Sequence, residues 1–217
     1  MPARSELESD LAQGLAHLEL ELDLGIDARS TLVDLVLLVS RWAARMNLTG
    51  HREAPAILDS LVLDALALWL AIRALPAEAP PRRLVDLGSG AGFPGLPVAI
   101  AEPAVAVELI EARQRRHHFQ RAACRELALE NVTARLGRIE ELEVTPSELV
   151  VAQAVGPIEQ VVALAQRWVR PGGWLVVPYG PRPPQFDPGP EWDESRSRAY
   201  AGSRAPSRTF WAARRRR

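Results

Sequence analysis

Cysteine is almost missing from this chain: Cys124 stands alone among 217 residues. An intramolecular disulfide and a cysteine zinc cluster are thereby excluded. Set within a helical pattern, Cys124 reads as an inert, partly buried thiol. Lysine is missing altogether, so all 26 basic side chains are arginine. Together with the many alanines and prolines this points to a GC-rich genome, and a single arginine therefore says little about function. Net charge is close to nil, at -1, which excludes a polycation and leaves any affinity for nucleic acid to local patches. No apolar run reaches the roughly 18–20 residues of a bilayer span. The first residues lack the basic-then-apolar layout of a secretory signal. The expectation is a soluble, cytoplasmic protein with no membrane partner. His17, His51, His117 and His118 show no metal-ligand spacing with carboxylates or thiols, so no metal is expected.

What is present suits a globular fold: 47% hydrophobic and 24% charged residues provide a core for one large domain or one domain with an appendage. Periodicity predicts a helix over 5–22, with Leu7, Leu11, Leu15 and Leu18 on one face. A second helix covers 30–47, started by Ser30 or Thr31 with Asp34 in its first turn, and Asn47-Leu48-Thr49-Gly50 closes it. A third covers 54–74, with Pro55 near its start. Trp42 and Trp69 fall in helical apolar patterns and read as core. After a linker from Pro76 to Pro81 the pattern alternates: strand 83–87, glycine loop, helix 95–102, strand 105–110, helix 113–128, strand 132–136, strand 148–152, helix 157–169. Pro171-Gly172-Gly173 reads as a turn into strand 174–178. Residues 179–207 read as loop, 209–213 as a last strand and 214–217 as a solvated, disordered basic tail. Such alternation builds a doubly wound parallel α/β sheet with helices on both faces. The expected organisation is a helical N-terminal extension (1–80), an α/β core (81–213) and the tail.

The segment Leu84-Val85-Asp86-Leu87-Gly88-Ser89-Gly90-Ala91-Gly92-Phe93-Pro94-Gly95 carries the most information. An apolar run ends in an acid, and three glycines follow at alternate positions. The run reads as a buried parallel strand, and the glycines let the backbone turn and approach a ligand. The spacing is G-x-G-x-G, not the G-x-G-x-x-G of dinucleotide sites. Glu111 closes the next apolar run, 19 residues after Gly92, where a carboxylate at a strand tip can hold two ribose hydroxyls. The pair points to a nucleoside-type cofactor, and Asp86 before the glycines tilts the choice from NAD towards S-adenosylmethionine.

Residues 86–100 (DLGSGAGFPGLPVAI) closely resemble the signature of the small-subunit ribosomal RNA methyltransferase G family, also called glucose-inhibited division protein B. Asn47-Leu48-Thr49, Leu58-Asp59-Ser60, Gly137-Arg138-Ile139-Glu140-Glu141 and Pro171-Gly172-Gly173 fit further family segments in the same order. The resemblance spans about residues 30 to 180. It implies a class I S-adenosylmethionine-dependent methyltransferase, a Rossmann-like doubly wound sheet with a helical N-terminal extension. It further implies methylation of N7 of one guanine in 16S rRNA of the small ribosomal subunit, by a monomer. Guanine N7 carries a free lone pair at neutral pH, so no general base is required and positioning dominates.

The roles the resemblance implies are these. Gly88, Gly90 and Gly92 line the amino-acid and ribose part of the cofactor, with Asp86 holding the loop or the cofactor's ammonium and Glu111 taking the ribose hydroxyls. Ile139 and Glu140 frame the adenine; Ser89, Phe93, Ala112 and Gln153 complete the cofactor-binding set. Asn47, Asp59 and Gln153 are the candidates for the catalytic pocket. For Asn47 and Thr49, helix termination is the competing explanation. The chain departs from the family pattern at Ala56 (family His), Gln153 (family Arg) and Tyr179 (family Lys). Those changes leave two alternatives open: a paralogue acting on another RNA or a small molecule, and a non-catalytic cofactor- or RNA-binding member. Arg113, His117, Arg121 and Arg125 recur at i, i+4 spacing, with Arg115 and Arg116 nearby. That face reads either as solvated charge or as an RNA backbone contact.

Overall fold

The computed structural model describes residues 3–17, 24–77, 79–200 and 208–217. Among the described residues seven strands form one sheet: β1 (Arg83–Leu87), β2 (Ala106–Glu111), β3 (Val132–Leu136), β4 (Ser147–Ala152), β5 (Val169–Tyr179), β6 (Trp192–Tyr200) and β7 (Arg208–Arg215). Their order is β3-β2-β1-β4-β5-β7-β6. Only β7 runs against its neighbours β5 and β6; the other pairings are parallel. The chain moves outward from β1 through β2 to β3, then returns to the other side of β1 for β4. That reversal opens a crevice at the carboxyl ends of β1 and its neighbours.

Successive strand residues point to opposite faces, and the two cores follow that rule. Leu84, Val107, Leu109, Val151 and Val176 face one layer; Val85, Leu87, Ile110, Val150 and Val177 face the other. The first layer is covered by α5 (Gly95–Ala101) and α6 (Gln114–Glu126) and by the N-terminal helices α1 (Arg4–His17), α2 (Ile26–Ala43), α3 (Ala54–Ile57) and α4 (Asp64–Arg73). Leu7, Leu35, Leu66 and Phe119 belong to one continuous apolar cluster with the sheet. Trp42 of α2 meets Phe119 of α6 edge to face, ring centroids 5.5 Å apart. The second layer is covered by α7 (Ile158–Ala165).

Several expected boundaries shift for physical reasons. Of the first expected helix, Leu18 lies outside the described residues. The second helix begins at Ile26, not Ser30: the Thr31 hydroxyl donates to the Asp27 carbonyl at 2.8 Å, the back-bonding of a residue inside a helix. Asp27, not Asp34, sits in its first turn, and the helix ends at Ala43. The third expected helix is a continuous helical stretch, Ala54–Arg73, interrupted by a π-helical turn, Leu58–Leu63. At 20 residues it is long and apolar enough to cross a membrane by length and composition, contrary to the expectation that no run is. Here it is a core helix, with Val62, Leu66, Leu68 and Trp69 buried in the cluster.

Pro171-Gly172-Gly173 is not a turn before β5 but a bulge within it. Ser147 pairs with Val169 and Leu149 with Trp174, so β5 carries the extra residues. The expected loop over 179–207 contains β6, a polar edge strand whose inner side pairs with β7; residues 201–207 lie outside the described set. The basic run is not a free tail. Arg214 and Arg215 end β7, Arg215 donates to the carbonyls of Gln166 (2.8 Å) and Val169 (2.6 Å), and Arg216 pairs with Asp193 at 3.0 Å.

Candidate active site

Register brings the candidate residues together. Leu87, the last residue of β1, lies between Ile110 of β2 and Ala152 of β4. The next residue on each strand is Gly88, Glu111 and Gln153, so these three stand side by side on the carboxyl rim. Glu111 is also level with Leu136, the end of β3. The Gly137 N–H then donates to the Glu111 carbonyl at 3.1 Å, and the chain turns so that Ile139 packs into the core beneath Leu87 and Ile110. The Glu140 carbonyl accepts from Arg167 at 2.9 Å, with its side chain exposed.

The glycine loop adopts the backbone its spacing predicts. Gly88 and Gly90 have φ of 67° and 57°, a left-handed conformation that L side chains resist. At Gly88 a Cβ would also lie 2.9 Å from Val155 Cγ2, so the packing of Val155 against the strand tip is a second reason for glycine there. The loop is then wired to the rest of the rim. Glu111, though buried, accepts at both oxygens: from the Gly90 N–H at 3.0 Å and from the Arg113 N–H at 2.7 Å. Arg116 lies 4.0 Å from the same carboxylate. A carboxylate has about four acceptor positions, so two remain for hydroxyl donors.

Asp86 is fully buried, and its Oδ2 accepts the Gly95 N–H at 3.0 Å. This ties β1 to the first turn of α5 across the glycine loop. Its Oδ1 has no partner among the described residues. Burial pushes this carboxyl well above the usual range; the Gly95 hydrogen bond opposes the shift and the charge of Glu111 adds to it.

The other candidates have surroundings of their own. Asn47 is exposed beyond α2, anchored through buried Leu48, and the Thr49 hydroxyl accepts from the His51 N–H at 3.2 Å within the turn. Asp59 and Ser60 lie in the π-helical turn, a distortion frequent at functional sites. One turn on, Asp64 pairs with Arg208 at 2.7 Å, which fixes that turn beside the start of β7. Ser89 is buried, and Phe93 and Ala112 flank the loop and Glu111. Ala56 and Tyr179 are half-buried, and burial near Glu159 pushes the Tyr179 phenol up.

The basic stripe on α6 is not the one its spacing suggests. His117 turns inward to the Ala134 carbonyl at 3.3 Å and is buried. α6 packs through His117, Phe119, Gln120 and Ala123, which leaves Arg113, Arg115, Arg121 and Arg125 exposed in other directions. Arg115 joins Arg41, Arg45, Trp42 and Met46 around a groove of about 780 Å³ between α2 and α6, where Arg41 pairs with Glu126 at 3.2 Å.

Three features escape a reading by motif. Gln120 is wholly buried; its amide donates to Ser89 Oγ at 2.8 Å and to the Gly90 carbonyl at 2.9 Å. Nothing in a polar helical segment announces that role. Ala154 has φ of 55°, a costly conformation for a residue with a Cβ, and it follows Gln153 directly. The π-helical turn has no sequence signal.

The model of the family described as rRNA small subunit methyltransferase G matches residues 28–183. The ribosomal RNA small subunit methyltransferase G of Chromohalobacter salexigens is 34% identical over 171 residues, 78% of each chain. That of Halorhodospira halophila is 35% identical over 164 residues, 76% of this chain and 75% of the relative. Among solved structures, TYW2 of M. jannaschii in complex with AdoMet is similar at a TM-score of 0.56 and 14% identity, over 81% of this chain and 80% of that one. At that identity the likeness concerns the fold, and the fold is that of a class I methyltransferase.

Proposed function

The chain belongs to the rRNA small subunit methyltransferase G family, and from that premise we propose that it methylates N7 of one guanine in 16S rRNA of the small ribosomal subunit. It is an S-adenosylmethionine-dependent methyltransferase. The observation that carries the reading is the rim where Gly88, Glu111 and Gln153 meet, wired through Gly90.

The residues fit the cofactor. Gly88, at a φ of 67°, turns the backbone sharply at the strand tip as a glycine loop must, and Glu111 retains acceptor capacity for ribose hydroxyls. Ile139, buried among the apolar residues of the second layer, would border the adenine. Bound S-adenosylmethionine supplies a sulfonium-activated methyl group. The backbone of Gly88, Ser89, Gly90 and Gly92, with Phe93 and Ala112, would line its amino-acid and ribose parts, and Glu140 would border the base. Asp86, held to Gly95, keeps that loop in place. Gln153 would reach both cofactor and target, and Asn47 and Asp59 would border the target base. Gln153 donates and accepts hydrogen bonds, but it cannot make the bidentate cationic contact of the family's arginine.

Since N7 needs no base, the work of these residues is alignment, which alone can remove roughly 7–11 kcal/mol of barrier in favourable cases. The groove of Arg41, Arg45 and Arg115 adjoins this rim through the first turn of α6, and its charge suits RNA phosphates. On this reading residues 1–80 are an RNA-facing helical extension of the core, and the protein acts as a cytoplasmic monomer. The departures at Ala56, Gln153 and Tyr179 favour one second reading, another acceptor RNA or small molecule. Tritiated methyl transfer to small subunits lacking the modification, with fully modified subunits as control, tests both. Transfer to the unmodified subunits alone supports the first reading. No transfer from a preparation that binds S-adenosylmethionine refutes it.

A further inference from the structure

Gly90 is gripped on both sides. Having no Cβ, it has little in its own chemistry to fix φ and ψ, and its φ of 57° is left-handed. The peptide plane before it is set by its N–H, which donates to Glu111 Oε2 at 3.0 Å. The plane after it is set by its carbonyl, which accepts from the Gln120 amide at 2.9 Å. A residue between two fixed planes keeps neither of its soft dihedrals. Glu111 reaches Gly90 from the rim, whereas Gln120 reaches it from α6.

Gln120 braces Ser89 as well. It donates to Ser89 Oγ at 2.8 Å, and that hydroxyl donates onward to the Ile110 carbonyl at 3.3 Å. The Ser89 N–H donates to the same carbonyl at 3.0 Å, and the Ser89 carbonyl accepts the Gly92 N–H at 2.7 Å. Both N–H donors of the amide are therefore used on the loop, and one side chain joins α6 to the loop and, through Ser89, to β2. Packing does not explain the choice of residue. Gln120 is wholly buried, α6 buries Phe119, Ala122 and Ala123 with it, and its Oε1 has no partner among the described residues. A buried acceptor left so costs stability, and an apolar side chain would fill the position without that cost. What glutamine adds is the pair of donors.

We infer that Gln120 is a positioning residue for the methyl donor: from α6 it holds Ser89 and Gly90 in the binding conformation before S-adenosylmethionine arrives. Ordering a glycine-rich turn during binding costs conformational entropy, and ordering it beforehand removes that cost from binding. The inference rests on the assignment of the loop to the cofactor and is independent of the methyl acceptor.

The test is calorimetric titration of the full-length protein with S-adenosylmethionine in wild type, Gln120→Met, Ser89→Ala and the double variant. Methionine is unbranched, similar in length and lacks the donors. Affinity should fall roughly tenfold in Gln120→Met, through loss of two hydrogen bonds, and about threefold in Ser89→Ala, through loss of one. The Ser89→Ala factor should shrink in the Gln120→Met background, because the two residues share one brace. His117→Leu is the control: it is another buried polar side chain of α6, but its partner is the Ala134 carbonyl on β3, and it should keep wild-type affinity. In Gln120→Met, amide hydrogen exchange should quicken at Gly90 while β4 keeps its protection, the mark of a loosened loop in a folded protein. Wild-type affinity or unchanged Gly90 exchange in Gln120→Met, equal loss in His117→Leu, or an undiminished Ser89→Ala factor in the double variant would overturn the inference. Ser89→Ala leaves α6 intact, so wild-type affinity in that variant overturns it whether or not Gln120→Met folds. Loss in Gly90→Val without loss in Gln120→Met rejects Gln120 alone; loss in neither rejects the assignment of the loop to the cofactor with it.

Discussion

Gly90→Val tests the assignment of the glycine loop, because its cost can be worked out from two features of the structure. Gly90 has φ of 57°, and a Cβ there would meet only Arg116 Nη1 at 3.7 Å and the Gly88 carbonyl at 3.9 Å. Space is available, so the penalty is conformational. Holding an L residue in the left-handed region costs roughly 1–2 kcal/mol, more when it is branched at Cβ. A domain of this size loses about 2–4 °C of Tm per kcal/mol, so a drop of roughly 2–8 °C is expected, towards the upper end for valine. Global stability of about 5–15 kcal/mol leaves the variant folded. The loss at the site is larger. Relaxing φ towards negative values turns the Gly90 N–H away from Glu111 Oε2, now 3.0 Å distant. A hydrogen bond to a charged group is worth about 1.5–3 kcal/mol, and valine also projects into the cradle. Affinity for S-adenosylmethionine in calorimetry should fall about a hundredfold. Gly172→Val is the control: its φ of 77° imposes the same strain on the far rim, with Arg217 Nε 3.4 Å from the added Cβ. It should lower Tm similarly and leave affinity alone. Wild-type affinity in Gly90→Val, or equal loss in both variants, would refute the assignment.

Gln120→Leu removes two hydrogen bonds to the loop, each worth roughly 0.5–1.5 kcal/mol, but also a buried Oε1 without a partner, which costs about 1–3 kcal/mol. These nearly cancel, so Tm should shift by only a few degrees while S-adenosylmethionine affinity falls roughly tenfold; a large Tm loss with unchanged affinity would make Gln120 structural alone. Arg45→Glu with Arg115→Glu should raise KM for small subunits, most at higher salt, without altering cofactor affinity; equal KM values would remove the groove between α2 and α6 from the RNA surface. Asp86 has a folded pKa raised well above its ordinary 3.8, chiefly by burial. Between 3.8 and the folded value the native state binds more protons, so its contribution is full below 3.8 and is lost as pH rises through the folded pKa. Asp86→Asn should therefore flatten the fall of stability with rising pH in denaturant titrations, and an unchanged slope would show that Asp86 does not titrate there.

The strand tips and the glycine loop were legible, while helix starts, the π-helical turn and polar contacts across the chain were not. The apolar runs ending at Leu87 and Ala152 fixed the strand tips, and with them the juxtaposition of Gly88, Glu111 and Gln153. Three glycines at alternate positions announced the loop because left-handed backbone is a local requirement. Strand β6 was missed because Trp192–Tyr200 is an edge: its outward residues are charged and its pairing is supplied entirely by β7. The basic stripe on α6 was misread because His117 answers to the Ala134 carbonyl on β3, a partner 17 positions away. Gln120 was invisible for the same reason, its acceptors lying 30 and 31 positions upstream. The C-terminal arginines follow suit. As a sequence they are a solvated run; in the fold Arg215 satisfies two carbonyls where α7 gives way to β5, and Arg214 and Arg217 wall a cavity. A buried polar group must find a partner somewhere, and which partner it finds is a property of the topology. The glycine loop could be assigned from its letters, but the residues that hold it in place could be assigned only once the sheet had brought them to it.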